Sequence, residues 1–121
     1  MALNVYTSTI NYIGPHKLDI SIKSGEKAFA PTWDMVRRYK NGDLCRAEYT
    51  EMYEAMLKQS MTDNLITWHD LLQRKIVVLC CYCKAGGFCH RNILSRVLGN
   101  IGCTEMGEIT EDRIEKRPKS E

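Results

Sequence analysis

One stretch decides the fold of this chain: Ile76-Val77-Val78-Leu79-Cys80-Cys81-Tyr82-Cys83-Lys84-Ala85-Gly86-Gly87-Phe88-Cys89-His90-Arg91. Its start, Ile76 to Cys80, is apolar without alternation, which is typical of a central parallel strand that is covered on both faces. The glycine-bearing loop that follows leads into Cys89-His90-Arg91, where we expect a helix to begin. A strand, a loop and a helix N-terminus together can hold an anion, because the first amide groups of a helix have no partner within the helix.

The segments around this stretch predict an α/β domain. We expect strands over Asn4 to Ser8, Leu18 to Ile22, Ile76 to Cys80 and, as a weak edge strand, Cys103 to Ile109. We expect helices over Trp33 to Lys40 with Thr32 as N-cap, over Ala47 to Ser60, from Thr62-Asp63 onward, and from Cys89 to Gly102. Strands that are separated by helical stretches form a small, mostly parallel sheet with helices packed on it. Residues 1–109 should therefore form a single α/β domain, and the charged residues 110–121 a loose C-terminal tail.

Apolar spacing predicts which side of each helix is buried. The helix from Ala47 to Ser60 carries one apolar stripe at helical spacing, made of Tyr49, Met52, Tyr53, Met56 and Leu57. In the next helix the expected buried residues are Leu65, Ile66, Trp68, Leu71 and Leu72, and in the last helix they are Ile93, Leu94, Val97, Leu98 and Ile101. We expect His69 to be exposed or capping, and Arg37, Arg38 and Lys40 to form a solvated face.

Composition excludes several classes of protein. The chain has 121 residues and a net charge of +2, so no global charge attracts it to nucleic acid or to an anionic membrane. It lacks an apolar stretch of membrane-spanning length and a clear aromatic stacking motif for nucleic acid, and we expect no signal peptide. The six cysteines include four within a short segment, which is unlike a secreted disulfide framework, and we expect reduced thiols in a cytoplasm-like compartment. The sequence gives no indication of the oligomeric state.

Residues around the central loop predict a pocket for a small anion. Arg91 and Lys84 supply charge, and arginine can hold a phosphate or carboxylate with two parallel hydrogen bonds. The expected ligand-binding residues are Arg91, Thr7, Ser8, Lys84, Gly86, Gly87 and Asn92. Thr7 and Ser8 belong here because ligands of α/β folds bind at the carboxyl ends of the strands. The alternative is that Arg91 pairs with an acidic neighbour and that the glycines only turn the chain.

Cys89 and His90 are the candidate catalytic residues. A thiol at a helix N-terminus beside cationic side chains should have a lowered pKa, which would make Cys89 a nucleophile. The structural alternative is a cysteine chosen for its small size, since cysteine is among the most buried residue types. No cysteine of the stretch is followed by an arginine at the Cys-x5-Arg spacing, which argues against a cysteine phosphatase.

Metal binding and redox pairing are weaker alternatives. The soft ligands available to zinc are Cys80, Cys81, Cys83, Cys89 and His90. Successive strand side chains point to opposite faces, so Cys80 and Cys81 cannot easily face one ion, and a second Cys-x2-Cys knuckle is missing. A disulfide between Cys81 and Cys83 would be strained. We therefore expect no metal and no cofactor.

The chain resembles the family of the domain of unknown function 488, the YeaO-like proteins. The resemblance rests on Val5-Tyr6-Thr7-Ser8, Asp19-Ile20-Ser21-Ile22, Pro31-Thr32-Trp33, Gly42 to Tyr49, Leu79-Cys80-Cys81-Tyr82-Cys83 and Phe88-Cys89-His90-Arg91, and it covers roughly residues 4 to 109. It implies a Rossmann-like three-layer fold and a shared site built on Cys89, His90, Arg91 and the Thr7-Ser8 strand end. The compact form looks like members carried by bacteria and their phages, which implies the cytoplasm of a bacterial or phage-infected cell.

Three functional hypotheses follow. The first is an α/β domain that binds or acts on a nucleotide-like or other phosphorylated small molecule, with the nucleotide suggested by analogy to Rossmann-like domains. The second is a protein that binds or sequesters such a ligand without turnover. The third is a protein-interaction module that would use the stripe from Tyr49 to Leu57, provided that this stripe is exposed.

Overall fold

The computed structural model of the protein describes residues 2–83 and 88–109. The strands of this part are β1 (Asn4–Thr9), β2 (Lys17–Asp19), β3 (Ile76–Cys81) and β4 (Thr104–Glu108). The helices are α1 (Trp33–Lys40), α2 (Arg46–Asp63), α3 (Leu65–Leu72) and α4 (His90–Asn100), with a short 3₁₀ helix at Lys27–Phe29. The tail at residues 110–121 lies outside the described residues, so its predicted looseness stays a prediction.

The described strands form one four-stranded sheet in the order β2-β3-β1-β4, and all neighbouring pairs are parallel. The predicted small parallel sheet is therefore confirmed, with β3 as an inner strand. Thr7 lies opposite Leu79 and Ser8 opposite Cys80, so the carboxyl ends of β1 and β3 meet at one edge. This edge is where ligands of open α/β sheets bind.

Three layers are present, and strand alternation decides which side chains enter each. Val77 and Leu79 enter a large apolar cluster to which α1, α2, α3 and α4 all contribute. Val78 and Cys80 face the other way, into a smaller cluster that Tyr12, in the β1–β2 connection, helps to cover. The three-layer α/β fold is confirmed, and its second outer layer is this connection and its neighbours.

The second strand is shorter than predicted, because a side chain turns the chain after Asp19. The Asp19 carboxylate accepts hydrogen bonds from the Ser21 amide, at 2.9 Å, and from the Ser24 hydroxyl, which closes a turn where the alternating pattern predicted further strand. Burial opposes the charge, but the hydrogen bonds from Ser24 and Ser21 outweigh it and lower the pKa of Asp19. A Cβ on Gly25 would lie 2.5 Å from the Asp19 carbonyl oxygen, so only glycine fits the end of this turn.

Helices α1 and α2 follow the prediction more closely. The Thr32 side chain accepts from the Met35 amide and caps α1 as expected. Helix α2 begins at a capping box between Cys45 and Glu48 and runs to Asp63, beyond the predicted end. Thr62 and Asp63 therefore end α2 and do not begin the next helix.

Burial along α3 and α4 corrects part of the prediction. Trp68 and Leu71 are buried, and the Trp68 indole donates to the Ser60 hydroxyl at 3.1 Å, which ties α3 to α2. The prediction was wrong for Leu65 and Ile66, which are 68% and 77% exposed in the first turn of α3. It was also wrong for Ile101, which follows α4 and is exposed. His69 was expected to be exposed or capping, and it is exposed.

The longest of the described helices, α2, has 18 residues and carries several charged side chains. None of the helices in residues 2–83 and 88–109 combines the length and the apolar character that crossing a membrane requires.

Candidate functional site

The candidate site lies where β3 ends and α4 begins. Cys81 is the last residue of β3, and Cys89 is the N-cap of α4, with extended backbone angles. The start of α4 at His90 confirms the predicted helix. Lys84, Gly86 and Gly87, which were expected to bind the ligand, lie in the loop outside the described residues, so their role stays a prediction.

Three thiols meet at this junction. The Sγ atoms of Cys81 and Cys89 are 2.6 Å apart, and both lie within 4.8 Å of the Sγ of Cys83. We call Cys81, Cys83 and Cys89 the thiol cluster. Cys80 points to the opposite face of the sheet, as strand alternation predicted, and it takes no part in the cluster.

Arg91 lies behind the cluster and is fully buried, with 0% of its surface exposed. One guanidinium nitrogen, Nη1, donates to the Cys81 sulfur at 2.8 Å and to the Cys83 carbonyl at 3.2 Å. The other, Nη2, lies 3.3 Å from a carboxylate oxygen of Glu108 on β4. The guanidinium therefore connects the thiol cluster to the edge strand from inside the protein, and it lines neither of the depressions described below.

His90 is held in one tautomer beside Cys89. Its Nε2 donates to the Ile20 carbonyl at 2.8 Å, because a carbonyl oxygen can only accept a hydrogen bond. The other nitrogen, Nδ1, faces the Cys89 sulfur at 3.5 Å. Burial lowers the pKa of His90, so the ring is neutral and Nδ1 offers a lone pair to the thiol.

The charge distribution within the cluster differs from the prediction. Hydrogen bonds with Cys81 and Cys83, together with burial, raise the pKa of Cys89, so the expectation of an acidified Cys89 was wrong. Hydrogen bonds from Cys81 and Cys89 lower the pKa of Cys83 to about 3. Three thiols this close cannot all carry charge, and the negative charge is stabilised at the exposed member of the group.

The predicted ligand-binding residues that the structure describes, Thr7, Ser8, Arg91 and Asn92, do not converge on one pocket. The Thr7 hydroxyl donates to Glu108 at 2.6 Å, on the side of the sheet where Arg91 lies. The Ser8 hydroxyl donates to the Ile109 carbonyl, also at 2.6 Å. Ser8 follows Thr7 and points away from the thiol cluster, because strand side chains alternate. Thr7 and Asn92 line a shallow depression of about 450 Å³ with Glu105 and Glu108. Two carboxylates make this depression a poor place for an anion.

A second, deeper cavity of about 500 Å³ opens on the other side of the cluster. Its base carries the thiol cluster and His90, and Lys23 and Lys40 lie on its exposed rim. Its walls are largely aromatic, and we call it the aromatic cavity; the aromatic residues that line it are Trp33, Tyr39, Tyr49, Tyr82 and Phe88. A volume of this size suits a small-molecule ligand.

The sequence prediction did not find the aromatic cavity. Lys40 was assigned to a solvated face with Arg37 and Arg38, and those two arginines do pair with Asp34 on the surface, at 3.2 and 3.7 Å. Lys40 instead lines the cavity. The residue that could have indicated the aromatic cavity is Trp33, which is the first residue of α1 and is 60% exposed.

The family of the chain follows from a comparison with known families. The sequence model of the family described as "Active DUF488-N3 subclade" matches residues 15–102, from the β1–β2 connection to the end of α4. The protein belongs to this family, the domain of unknown function 488, as the resemblance had indicated. No curated protein and no solved structure matches the chain.

Proposed function

We propose that this protein binds a nucleotide-like or other phosphorylated small molecule in the aromatic cavity and acts on it at the base, where the thiol cluster and His90 lie. A single observation carries the proposal: aromatic walls, two lysines and a group of thiols with a neutral imidazole share one cavity of about 500 Å³. The word "Active" in the description of the matching subclade is in keeping with an enzyme. A reducing cytoplasm would keep the thiols available, and we propose that compartment as well.

The walls favour a flat ring system. Trp33 and Tyr82 are both more than half exposed, and they offer ring surface to a ligand. An aromatic base stacks on such rings with a free energy of about 1–3 kcal/mol per base. Phe88 and Tyr39 lie with ring centroids 5.3 Å apart, so part of the wall is already packed before a ligand arrives.

The rim favours an anionic group. Lys23 and Lys40 are both exposed, and ammonium groups bind phosphate oxygens as point charges. Arg91, from which direct contact with the anion was expected, is buried and engaged by Cys81 and Glu108. We therefore assign the anion to the lysines, and Arg91 to the support of the base.

Ligand binding is tested by thermal shift with AMP, GMP, CMP and UMP, with their nucleosides and with inorganic phosphate. A ligand at about ten times its Kd adds about 1.4 kcal/mol to the free energy of unfolding, which raises Tm by several degrees. The variant Lys40→Ala should lose most of this shift, because it removes a rim charge. Lys58→Ala, on the exposed side of α2, is the matched control and should keep it. Equal shifts in both variants, or no shift with any nucleotide, would contradict the proposal.

Binding without turnover is the alternative that the same cavity supports. Incubation of a nucleotide with the protein, followed by recovery of the ligand and mass spectrometry, distinguishes binding with turnover from binding without turnover. A changed product supports turnover at the base of the cavity, and an unchanged ligand supports sequestration. The interaction-module hypothesis required an exposed stripe on α2, and Tyr49, Tyr53 and Leu57 are buried in the core.

A further inference from the structure

We propose that the thiol cluster is a binding site for a soft divalent metal ion, with the sulfurs of Cys81, Cys83 and Cys89 as ligands and Zn²⁺ as the ion that fits them best. The three Sγ atoms lie within 4.8 Å of one another, so one ion can reach all of them with small side-chain movements. The proposal does not depend on a nucleotide in the aromatic cavity.

The identity of the donors favours zinc over magnesium or calcium. Thiolate sulfur is the ligand that zinc takes in most structural sites, whereas hard cations take oxygen. The sequence argument against a metal rested on Cys80 and Cys81, which point to opposite faces. The structure removes Cys80 from the set and brings Cys81, Cys83 and Cys89 together, so that argument does not apply to the residues that do meet.

The charges around the cluster also suit a metal. Three thiolates side by side would repel one another, and Arg91 supplies one positive charge at 2.8 Å from the Cys81 sulfur. A divalent ion offsets the charge of two thiolates, and Arg91, which also contacts Glu108 at 3.3 Å, stabilises the third in a buried place, where an uncompensated charge is costly. Arg91 therefore acts as a support for the ligands and not as a ligand.

The hydrogen bonds of the His90 ring also favour a metal site at the thiol cluster. Its Nε2 is bound to the Ile20 carbonyl at 2.8 Å, and its Nδ1 lies 3.5 Å from the Cys89 sulfur. A metal-bound histidine usually donates its other ring nitrogen to a carbonyl or a carboxylate. The His90 ring therefore has the orientation that a metal-binding histidine needs, with its Nδ1 beside one of the three sulfurs.

A disulfide between Cys81 and Cys89 is the competing explanation for their 2.6 Å separation. A disulfide uses two sulfurs and carries no charge, so it explains neither the third sulfur of Cys83 nor the guanidinium at the Cys81 sulfur. A metal site uses all of these groups, and we favour it for that reason.

The test is reconstitution of the reduced, metal-free full-length protein with Zn²⁺ and, as a spectroscopic probe, Co²⁺. We expect one equivalent of Zn²⁺ per chain by elemental analysis, and thiolate-to-cobalt absorption bands in the near ultraviolet. Cys83→Ser should weaken the affinity at least about tenfold. Because Cys83 is exposed, this variant should fold, and circular dichroism of the metal-free protein checks that it does.

Two control variants sharpen the result. Cys45→Ser, at the exposed N-cap of α2, and Cys80→Ala, next to Cys81 but on the other face, should bind Zn²⁺ as the natural sequence does. Sub-stoichiometric binding in the natural sequence, an unchanged affinity in Cys83→Ser, or a Cys81–Cys89 disulfide that forms in air and is unaffected by bound Zn²⁺ would overturn the proposal. Nucleotide binding is measured separately by thermal shift, so failure of one proposal is distinguishable from failure of the other.

Discussion

At the scale of single residues, Arg91 is the side chain on which the polar contacts of the site converge. It connects Cys81 and the Cys83 carbonyl to Glu108, and it does so while fully buried. A buried guanidinium loses its hydration and must recover the cost through its partners. Arg91 is therefore a stability residue as much as a residue of the site.

The variant Arg91→Ala should lower the free energy of unfolding by about 3 kcal/mol, because it leaves a partly buried carboxylate and a sulfur without their cation. Urea denaturation of the reduced, metal-free protein measures this loss. Arg96→Ala is the matched control: Arg96 also lies on α4 and pairs with a glutamate, Glu54, at 3.4 Å, but it is exposed. Its loss should be below about 1 kcal/mol. Equal losses of unfolding free energy in the two variants would show that burial does not increase the contribution of Arg91 to stability.

Single residues also show how far a sequence can predict this site. Cys89, His90 and Arg91 stand out because they follow an apolar strand and a glycine loop, and alternation separates Cys80 from Cys81 correctly. Arg91 is buried against Glu108, which lies 17 residues further along the chain on another strand, and no local pattern contains that contact. The pKa of Cys89 was predicted in the wrong direction because the fold brings the Cys81 and Cys83 thiols within hydrogen-bond reach of it.

At the scale of elements, caps and spacing predict the starts of α1 and α4 but not the start of α3, and tertiary contacts decide which side of a helix is buried. Thr32 places the start of α1, and Cys89 the start of α4. Strand β2 ends early because the Asp19 side chain forms a turn, a contact that competes with strand pairing. The same turn brings Ile22 and Lys23 to the wall of the aromatic cavity.

Helix α3 offers a test of this distinction, because two of its apolar residues have opposite environments. Leu71→Ala should cost about 2–5 kcal/mol of unfolding free energy, since Leu71 is 2% exposed and its removal leaves a cavity. Ile66→Ala should cost less than about 0.5 kcal/mol, as is usual on the surface. Chemical denaturation of both variants measures the difference. A loss for Ile66→Ala as large as that for Leu71→Ala would mean that this face of α3 is covered.

At the scale of the whole molecule, the sheet order sets the pattern of local stability. Strand β1 lies between β3 and β4, and β3 lies between β2 and β1, so the two inner strands are paired along both edges. The outer strands are short, and β4 is exposed over most of its length. The inner pair carries the core that holds the site in place.

Native-state hydrogen exchange should reflect this order. The amides of β1 and β3 should open only with global unfolding, whereas those of Lys17–Asp19 and Thr104–Glu108 should exchange at lower free energies. Exchange monitored by mass spectrometry or NMR tests the expectation. Amides of β4 that are as slow as those of β1 would contradict it, and they would indicate that a partner covers this edge.

The position of β1 in the sheet has a consequence for folding of the newly synthesised chain. Strand β1 pairs with segments that follow it far later in the chain, since Asn4 lies opposite both Ile76 and Thr104. Such distant pairing is slow to form and leaves the nascent chain open for longer. Cys81 and Cys89 are synthesised before β4, which brings Glu108 to Arg91. These two thiols are buried in the folded protein, so in the nascent chain they are exposed until the sheet has formed. We expect oxidation of these thiols to be fastest during that interval.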